Sequence, residues 1–449
     1  MLVEFRVANF RSFREEQVLS LVAGGTGKDE SHPDNLIEHD KFRLVKAAAV
    51  YGANASGKSN LIKAIAVMKA FIQDSATKMN QGDRIPGITP FRLGRDSSEE
   101  PSSFETMVVL DGTRYRYGFA ATAERIHGEW LSAHPPAPSR RQAWFERRFD
   151  PETGQTTWAF RGPFKKADAR ILEEKTRDNG LVLSRGAELN IGPLKELFLW
   201  FRRDLSVLDM STPPVDLIHK TGERIVDNPA FRDRVTHMIQ HADLAIDRIV
   251  VTEEEVPAPM QVLFEGLKRA LHSDPSRISA DTKGAPEDHL RGLSVRTIHQ
   301  LPDSGRQVKF DLQQDESNGT QRFFALAGPF LDALDKGAVL VVDELECSMH
   351  PLLTRKLLEL FQSKEANKTG AQLVFATHDS TLMDPELFRR DQIWLVEKNS
   401  SGASELFSLY DFDSEDRPRS TTAFQRNYLA GRYGAVPKFG PIFEDLELE

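Results

Sequence analysis

The chain contains one cysteine, Cys347, in 449 residues. A single thiol excludes an internal disulfide framework and fits a reducing compartment, so the protein is expected in the cytoplasm. No apolar run approaches the ~20 residues that a membrane span needs. The opening residues, Met1-Leu2-Val3-Glu4-Phe5-Arg6-Val7, alternate like a strand and lack the profile of a signal peptide. No membrane partner is expected. Basic residues are not in excess either: 58 Lys and Arg against 67 Asp and Glu leave a formal charge of −9. That balance argues against a protein that coats nucleic acid over its whole surface. Arg140-Arg141 with Arg147-Arg148, or Arg202-Arg203, could still form a local basic patch, although solvated charged faces are the simpler reading. The chain has no internal repeat, no low-complexity tract and no heptad run long enough for a coiled-coil arm.

What is present is the balance of a soluble globular protein, 40% hydrophobic and 28% charged. The length exceeds one ordinary core and suggests two or three lobes. The stretch Val45 to Asn60 organises the rest. It reads as a short buried strand, a glycine-bounded loop and a helix. Gly52-Ala53-Asn54-Ala55-Ser56-Gly57-Lys58-Ser59 fits G-x-x-x-x-G-K-[ST] without a gap, with Asn60 following. Glycines let the backbone approach a phosphate, and the loop amides and helix N-terminus point at the anion. Lys58 can reach the outer phosphates, and Ser59 offers a hydroxyl to Mg²⁺. Leu61, Ile62, Ala64, Ile65, Met68, Phe71 and Ile72 recur at helical spacing after the loop. By contrast, Gly24-Gly25-Thr26-Gly27-Lys28 lacks the spacing and reads as a surface turn.

A phosphate loop needs a partner that holds the metal and activates water. Ala338-Val339-Leu340-Val341-Val342-Asp343-Glu344 reads as a strand buried on both faces that ends in two carboxylates. Asp343 would hold Mg²⁺ beside Ser59, and Glu344 would act as general base. The bland alternative is a buried strand ending in surface acids. His378 follows another buried strand, Leu373 to Thr377, where it could hydrogen-bond a γ-phosphate. His378-Asp379-Ser380 is no hydrolase triad, because adjacent residues do not face one another. A fourth element, Glu316 to Arg322, opens a helix with Phe323, Leu326, Ala327, Phe330 and Leu334 on one face. Ser317 can cap that helix, and Gly319 lets a phosphate approach its amides. Alone, this is an ordinary helix cap. In its own subunit it is expected to lie away from Lys58, where it could close the site of a second subunit.

In chain order, residues 2 to 22 predict two antiparallel strands, and 23 to 40 an exposed loop. Phe104 to Ala120 predicts a hairpin turning at Asp111-Gly112, and Phe145 to Phe160 another. Trp130 begins a further strand region. Residues 164 to 245 read as helical, 252 to 291 as a loosely packed polar excursion, and 294 to 298 and 308 to 312 as strands. The last third alternates helices and buried strands. Tyr428 to Pro437 is expected to pack back on the body. Asp411 and Asp413 form a D-x-D, which reads better as an acidic turn than as part of a nuclease.

The order of phosphate loop, long insertion, signature, acid strand and histidine resembles ABC-type ATPase heads of the SMC, RecF and OLD group. Asn9-Phe10-Arg11-Ser12-Phe13 looks like the opening of that group, and Leu345 to Pro351 resembles its D-loop. Ser317-Asn318-Gly319-Thr320 stands in place of LSGGQ. More narrowly, the chain resembles compact "AAA family ATPase" proteins of bacterial defence and abortive-infection operons, of RloA or AbiL type. The matching stretches include Phe104 to Phe119, Glu316 to Pro351 and Leu429 to Pro437.

The resemblance implies a P-loop NTPase of α/β class: a mixed sheet with helices, a β-rich N-terminal subdomain and an inserted helical lid. The expected divisions are 1–130, 131–293 and 294–449. It further implies ATP with Mg²⁺ as cofactors, and a homodimer or higher homo-oligomer with shared sites. Arg11, the phosphate-loop residues, and Ser317, Gly319 and Thr320 would contact nucleotide; Lys58, Glu344 and His378 would be catalytic. A separate effector, often a nuclease, would be the partner. The other reading is a RecF-like DNA clamp with slow hydrolysis.

Overall fold

Ala47–Tyr51, Val339–Asp343 and Gln372–Ala376 are each buried at every position. A strand with no polar face must be covered on both sides by helices. A computed structural model of the protein, which describes residues 1–25, 32–39, 42–94, 97–136, 140–209, 215–242, 245–254, 292–301, 303–412 and 423–437, shows how this is done. Six strands form the central sheet in the order Leu205–Asp209, Val339–Asp343, Gln372–Ala376, Ala47–Tyr51, Ile393–Lys398 and Ser404–Ser408. The first five run parallel and the last is antiparallel. Alternate side chains go to opposite faces. Ala48, Val50, Val339 and Val341 share a core with the helix Lys58–Asp74. Ala47, Ala49, Tyr51, Leu340 and Val342 pack instead with the helices Asn318–Lys336 and Pro351–Gln362. Each large apolar side chain so buried contributes roughly 1.5–3 kcal/mol.

The parallel strands deliver their C-terminal ends to one edge, where ligands bind in open α/β sheets. Tyr51, Asp343 and Ala376 therefore hand over to the phosphate loop, Glu344 and Thr377-His378 side by side.

A second sheet has seven antiparallel strands in the order Gln155–Phe160, Gln142–Asp150, Ile126–His134, Thr113–Ala121, Ser102–Leu110, Leu2–Ala8 and Gln17–Ser20. The expected hairpin turns at Asp111 (φ 46°) and Gly112 (φ 75°), the positive pair of a type I′ turn. This sheet leans on the phosphate-loop helix through Phe71 and Phe119, whose rings stand 5.4 Å apart edge to face. Around the helix Asn318–Lys336 lie the helices Val215–Asp227 and Pro229–Ala242 and a three-stranded sheet of Ile246–Glu254, Gly292–Gln300 and Gln307–Asp311.

Glu129, fully buried, pins a further helix to the second sheet. It accepts from the amides of Val182 (2.8 Å) and Leu183 (3.1 Å) at the start of the helix Val182–Glu188, and from the Tyr117 hydroxyl (3.0 Å). Arg147, also buried, lies 3.3 Å away as its counter-ion. Removing one partner leaves the other charge without compensation, which costs about 3–5 kcal/mol. Glu129→Ala is therefore expected to lower the unfolding free energy by that much, read as a lower midpoint in a denaturant titration; an unchanged midpoint would show that the pair is dispensable.

The structure departs from the sequence reading in two places. Residues 164 to 245 are not helical throughout: Leu205–Asp209 is the edge strand of the central sheet, in register with Val339–Asp343. Residues 23 to 40 are not all exposed loop: Leu36–His39 pairs with Phe42–Val45, and Asn35 and Leu36 are buried. The strands Gln142–Asp150 and Gln155–Phe160 extend the second sheet, so the middle of the chain shares sheets with both ends. Tyr428, Tyr433 and Ala435 are buried, and the Ala435 amide donates to Glu397 at 3.1 Å. Most of the 252–291 excursion, the Thr26-Gly27-Lys28 part of the glycine-rich turn, and Asp413 lie outside the described residues.

Candidate active site

The phosphate loop leaves its strand through Gly52 (φ 156°) and enters its helix through Gly57 (φ 125°). Both positions are also sterically closed. A Cβ on Gly52 would collide with the Val396 carbonyl oxygen and come within 2.6 Å of Ser56 Oγ. One on Gly57 would collide with Ser404 Oγ and come within 2.9 Å of Ser12 Oγ. Glycine is thus required by space as well as by backbone conformation.

Lys58 is buried, and its Nζ donates to the carbonyls of Gly52 (2.8 Å) and Ala53 (3.1 Å). Burial lowers its pKa to about 8, against the pull of Asp343, Glu346 and Glu344. Ser59 Oγ donates to Asp343 Oδ1 at 3.2 Å. Octahedral Mg²⁺ holds ligands at 2.0–2.1 Å, so two neighbouring ligands stand about 3 Å apart. The Ser59–Asp343 pair has that spacing and the hard oxygen donors that the ion prefers. Burial raises the pKa of Asp343, with Asp209 and Glu344 adding to it and the Ser59 hydrogen bond opposing.

Glu344 follows with φ 55°, a strained conformation for a residue with a side chain. His378 donates its amide to Glu346 Oε1 at 2.6 Å. Its pKa is lowered by partial burial and then by the charge of Lys58. Together these groups line a cleft of about 720 Å³: Asn54 through Asn60 on one side, Glu344, Glu346, Cys347 and His378 on the other, with Ser12 and Lys398 completing the rim.

Ser317, Gly319 and Thr320 are not in this cleft. They line a separate pocket of about 350 Å³ with Ser348 and His350. Ser317 Oγ caps the helix by accepting from the Thr320 amide at 3.1 Å. A Cβ on Gly319 would stand 2.8 Å from the Ser348 carbonyl, so the small residue lets the loop lie against the helix start. Pro329 sits inside that helix, which runs on to Lys336. The D-loop-like segment spans both places: Glu346 and Cys347 face the phosphate-loop cleft, Ser348 and His350 the signature pocket.

Arg11 is exposed. Its amide donates to the Thr89 carbonyl at 2.7 Å, and its guanidinium lies 5.6 Å from the Phe10 ring. Its neighbour Ser12 is the one that lines the cleft, accepting from Asn60 Nδ2 at 2.8 Å. Ser12 and Lys398 were not singled out by sequence reasoning. Neither carries a motif of its own, and only the strand order brings Lys398 beside the loop. Asp209 is a third carboxylate, paired in register with Asp343, and it was hidden with the strand that carries it.

A parallel sheet with a phosphate loop, an acid strand two places away and a histidine strand between them defines a P-loop nucleotide-binding protein. Residues 47–384 match the family described as "AAA domain, putative AbiEii toxin, Type IV TA system", and the chain belongs to that family. No curated protein matches the chain. Among solved structures it is similar to an SMC head bound to the C-terminal winged-helix domain of ScpA, at 13% identity and a TM-score of 0.40 over 91% of this chain and 97% of that one. It is also similar to the recombination mediator RecF with ATP, at 13% identity and a TM-score of 0.35 over 84% and 92%.

Proposed function

We propose that the protein is an ATP-binding and ATP-hydrolysing switch whose active site is shared between two copies of the chain. The observation that carries this reading is the division of the nucleotide machinery. Phosphate-loop residues Asn54 to Ser59, Glu344 and His378 line one cleft, with Asp343 held behind Ser59 at 3.2 Å, while the capped N-terminus of the helix Asn318–Lys336 lines another. Helix amides at an N-terminus are anion donors, and Gly319 leaves them approachable. Seated on the cleft of a second chain, they would complete a cage around a γ-phosphate.

In that assembly the amides of Ala53 to Ser59 cradle the phosphates. Lys58 leaves the Gly52 and Ala53 carbonyls for the outer phosphates. Ser59 and Asp343 would hold Mg²⁺, which when bound offsets charge on the phosphate oxygens. Glu344 accepts a proton from the attacking water, and His378 hydrogen-bonds the γ-phosphate. Hydrolysis removes the group that bridges the two chains, and the dimer reopens.

The output is control of a partner effector, in keeping with a family described by a toxin–antitoxin system. Bacterial anti-phage defence in the cytoplasm is the setting proposed. The test is particle mass with and without ATP and Mg²⁺: a shift from one chain to two or more is expected. An ATP-dependent, salt-sensitive shift of duplex DNA with no change in the protein's own assembly would replace this reading with that of a DNA clamp.

A further inference from the structure

Away from the phosphate-loop cleft, a cavity of about 290 Å³ lies beside the edge strand Leu205–Asp209. Its walls come from three helices and the edge strand. Lys69 belongs to the phosphate-loop helix, about 16 Å beyond Lys58 along the axis at 1.5 Å per residue. Gly328, Asp332 and Lys336 belong to the helix that Ser317 caps, and Lys220, Thr221 and Arg224 to the helix Val215–Asp227 that crosses it. Arg203, Ser206 and Leu208 come from the edge strand and the turn before it.

The charge in this cavity is one-sided. Lys69, Arg203, Lys220, Arg224 and Lys336 line it against a single lining carboxylate, Asp332. That carboxylate is already engaged, by Arg224 and by Lys336 at 3.4 Å. Among the described residues no ion pair or side-chain hydrogen bond engages Lys69, Arg203 or Lys220. Lys69 and Lys220 are close enough to repel: the pKa of Lys69 is lowered by burial and then by Lys220. In a chain with a net charge of −9, these cations outnumber the acids around them: Asp332 in the lining, Asp335 at 3.6 Å from Arg224, and Asp204 within electrostatic reach of Arg203 and Lys336. A second observation points the same way. Thr221, 2% exposed, lines the cavity with an Oγ1 that has no hydrogen-bond partner. A buried hydroxyl normally has one.

We infer that this cavity binds a small phosphorylated anion, held by Lys69, Arg203 and Lys220 with the Thr221 hydroxyl as a further donor. The volume fits a phosphate or diphosphate group and is too small to take in a duplex. Phosphate oxygens would accept several charge-assisted hydrogen bonds at once and relieve the repulsion between the lysines. Because the site joins the phosphate-loop helix to the capped helix, its occupancy fixes how those two elements sit against each other. It is therefore placed to report a phosphorylated effector to the ATP switch.

The test uses the full chain carrying Lys58→Ala, which weakens the phosphate loop as a competing site, and pyrophosphate as probe, by calorimetry without ATP. One binding event is expected. It should weaken at least about tenfold when Lys69→Gln and Lys220→Gln are added, since each substitution removes a charge-assisted hydrogen bond to the anion. Lys220 is exposed and Lys69 partly buried, glutamine retains most of the lysine stem, and an unchanged melting temperature will show that the variants fold. The inference is overturned if the probe does not bind, if binding survives both substitutions, or if they weaken a short DNA duplex and leave pyrophosphate untouched. Because no turnover is measured, this result stands apart from whether the protein hydrolyses ATP.

Discussion

Lys58→Ala will reduce ATP turnover by about 10²–10³-fold, the usual loss when a preorganised charge donor is removed from a phosphoryl-transfer site. The structure explains why no neighbour can substitute. Lys58 is the only lysine within the loop, and its ammonium sits inside the ring of backbone formed by Gly52 and Ala53. Lys398 lines the same cleft but from the end of the neighbouring strand Ile393–Lys398, outside the loop itself. Fold stability should hardly fall, because the buried ammonium bears a desolvation cost that lowers its pKa. The check is steady-state turnover alongside a melting curve. Wild-type turnover in a folded Lys58→Ala protein would refute the phosphate-loop assignment.

Glu344→Gln will have an effect of similar size on turnover, about 10²–10⁴-fold, with an opposite effect on assembly. Glutamine keeps the size and polarity of the side chain but cannot take a proton from water. Nucleotide should still bind, because Lys58, Ser59 and Asp343 are untouched. The two chains should then stay locked around unhydrolysed ATP, and the particle should remain at the larger mass. Asp343 is the comparison: it faces Ser59 at 3.2 Å, so Asp343→Asn should weaken metal-dependent binding instead. Equal turnover in Glu344→Gln and the wild type would remove Glu344 from the role of base.

Much of this fold is legible in the sequence where local pattern and tertiary burial agree. The strand Ala47–Tyr51, its loop and its helix carry every signal on contiguous residues. Val339–Asp343 is apolar until its last residue because both faces are covered. Ser317 announces a helix start, and its hydroxyl makes the capping bond. Leu205–Asp209 was illegible for the converse reason. It follows directly on helical turns through Trp200–Asp204, and its partner strand lies far along the chain at Val339–Asp343. Nothing local marks a parallel pairing. Leu36–His39 was missed because His32, Pro33, Asp34 and Asn35 read as loop, whereas Asn35 is buried and bonded to Gln392 Oε1 at 2.8 Å. The cleft residues Ser12 and Lys398 belong to the same class, brought in by topology and unmarked by any motif.

The central claim is that one chain's cleft is completed by the other chain's helix N-terminus. Mixing two inactive variants tests it most directly. Lys58→Ala disables the phosphate loop and leaves Ser317 and Gly319 intact; Ser317→Arg does the reverse. Each alone should turn over little ATP. Mixed in equal amounts, random pairing would leave one complete site in half of the dimers, and about a quarter of wild-type turnover should return. If the mixture stays as inactive as its components while both variants fold and bind partners, the site is not shared between chains.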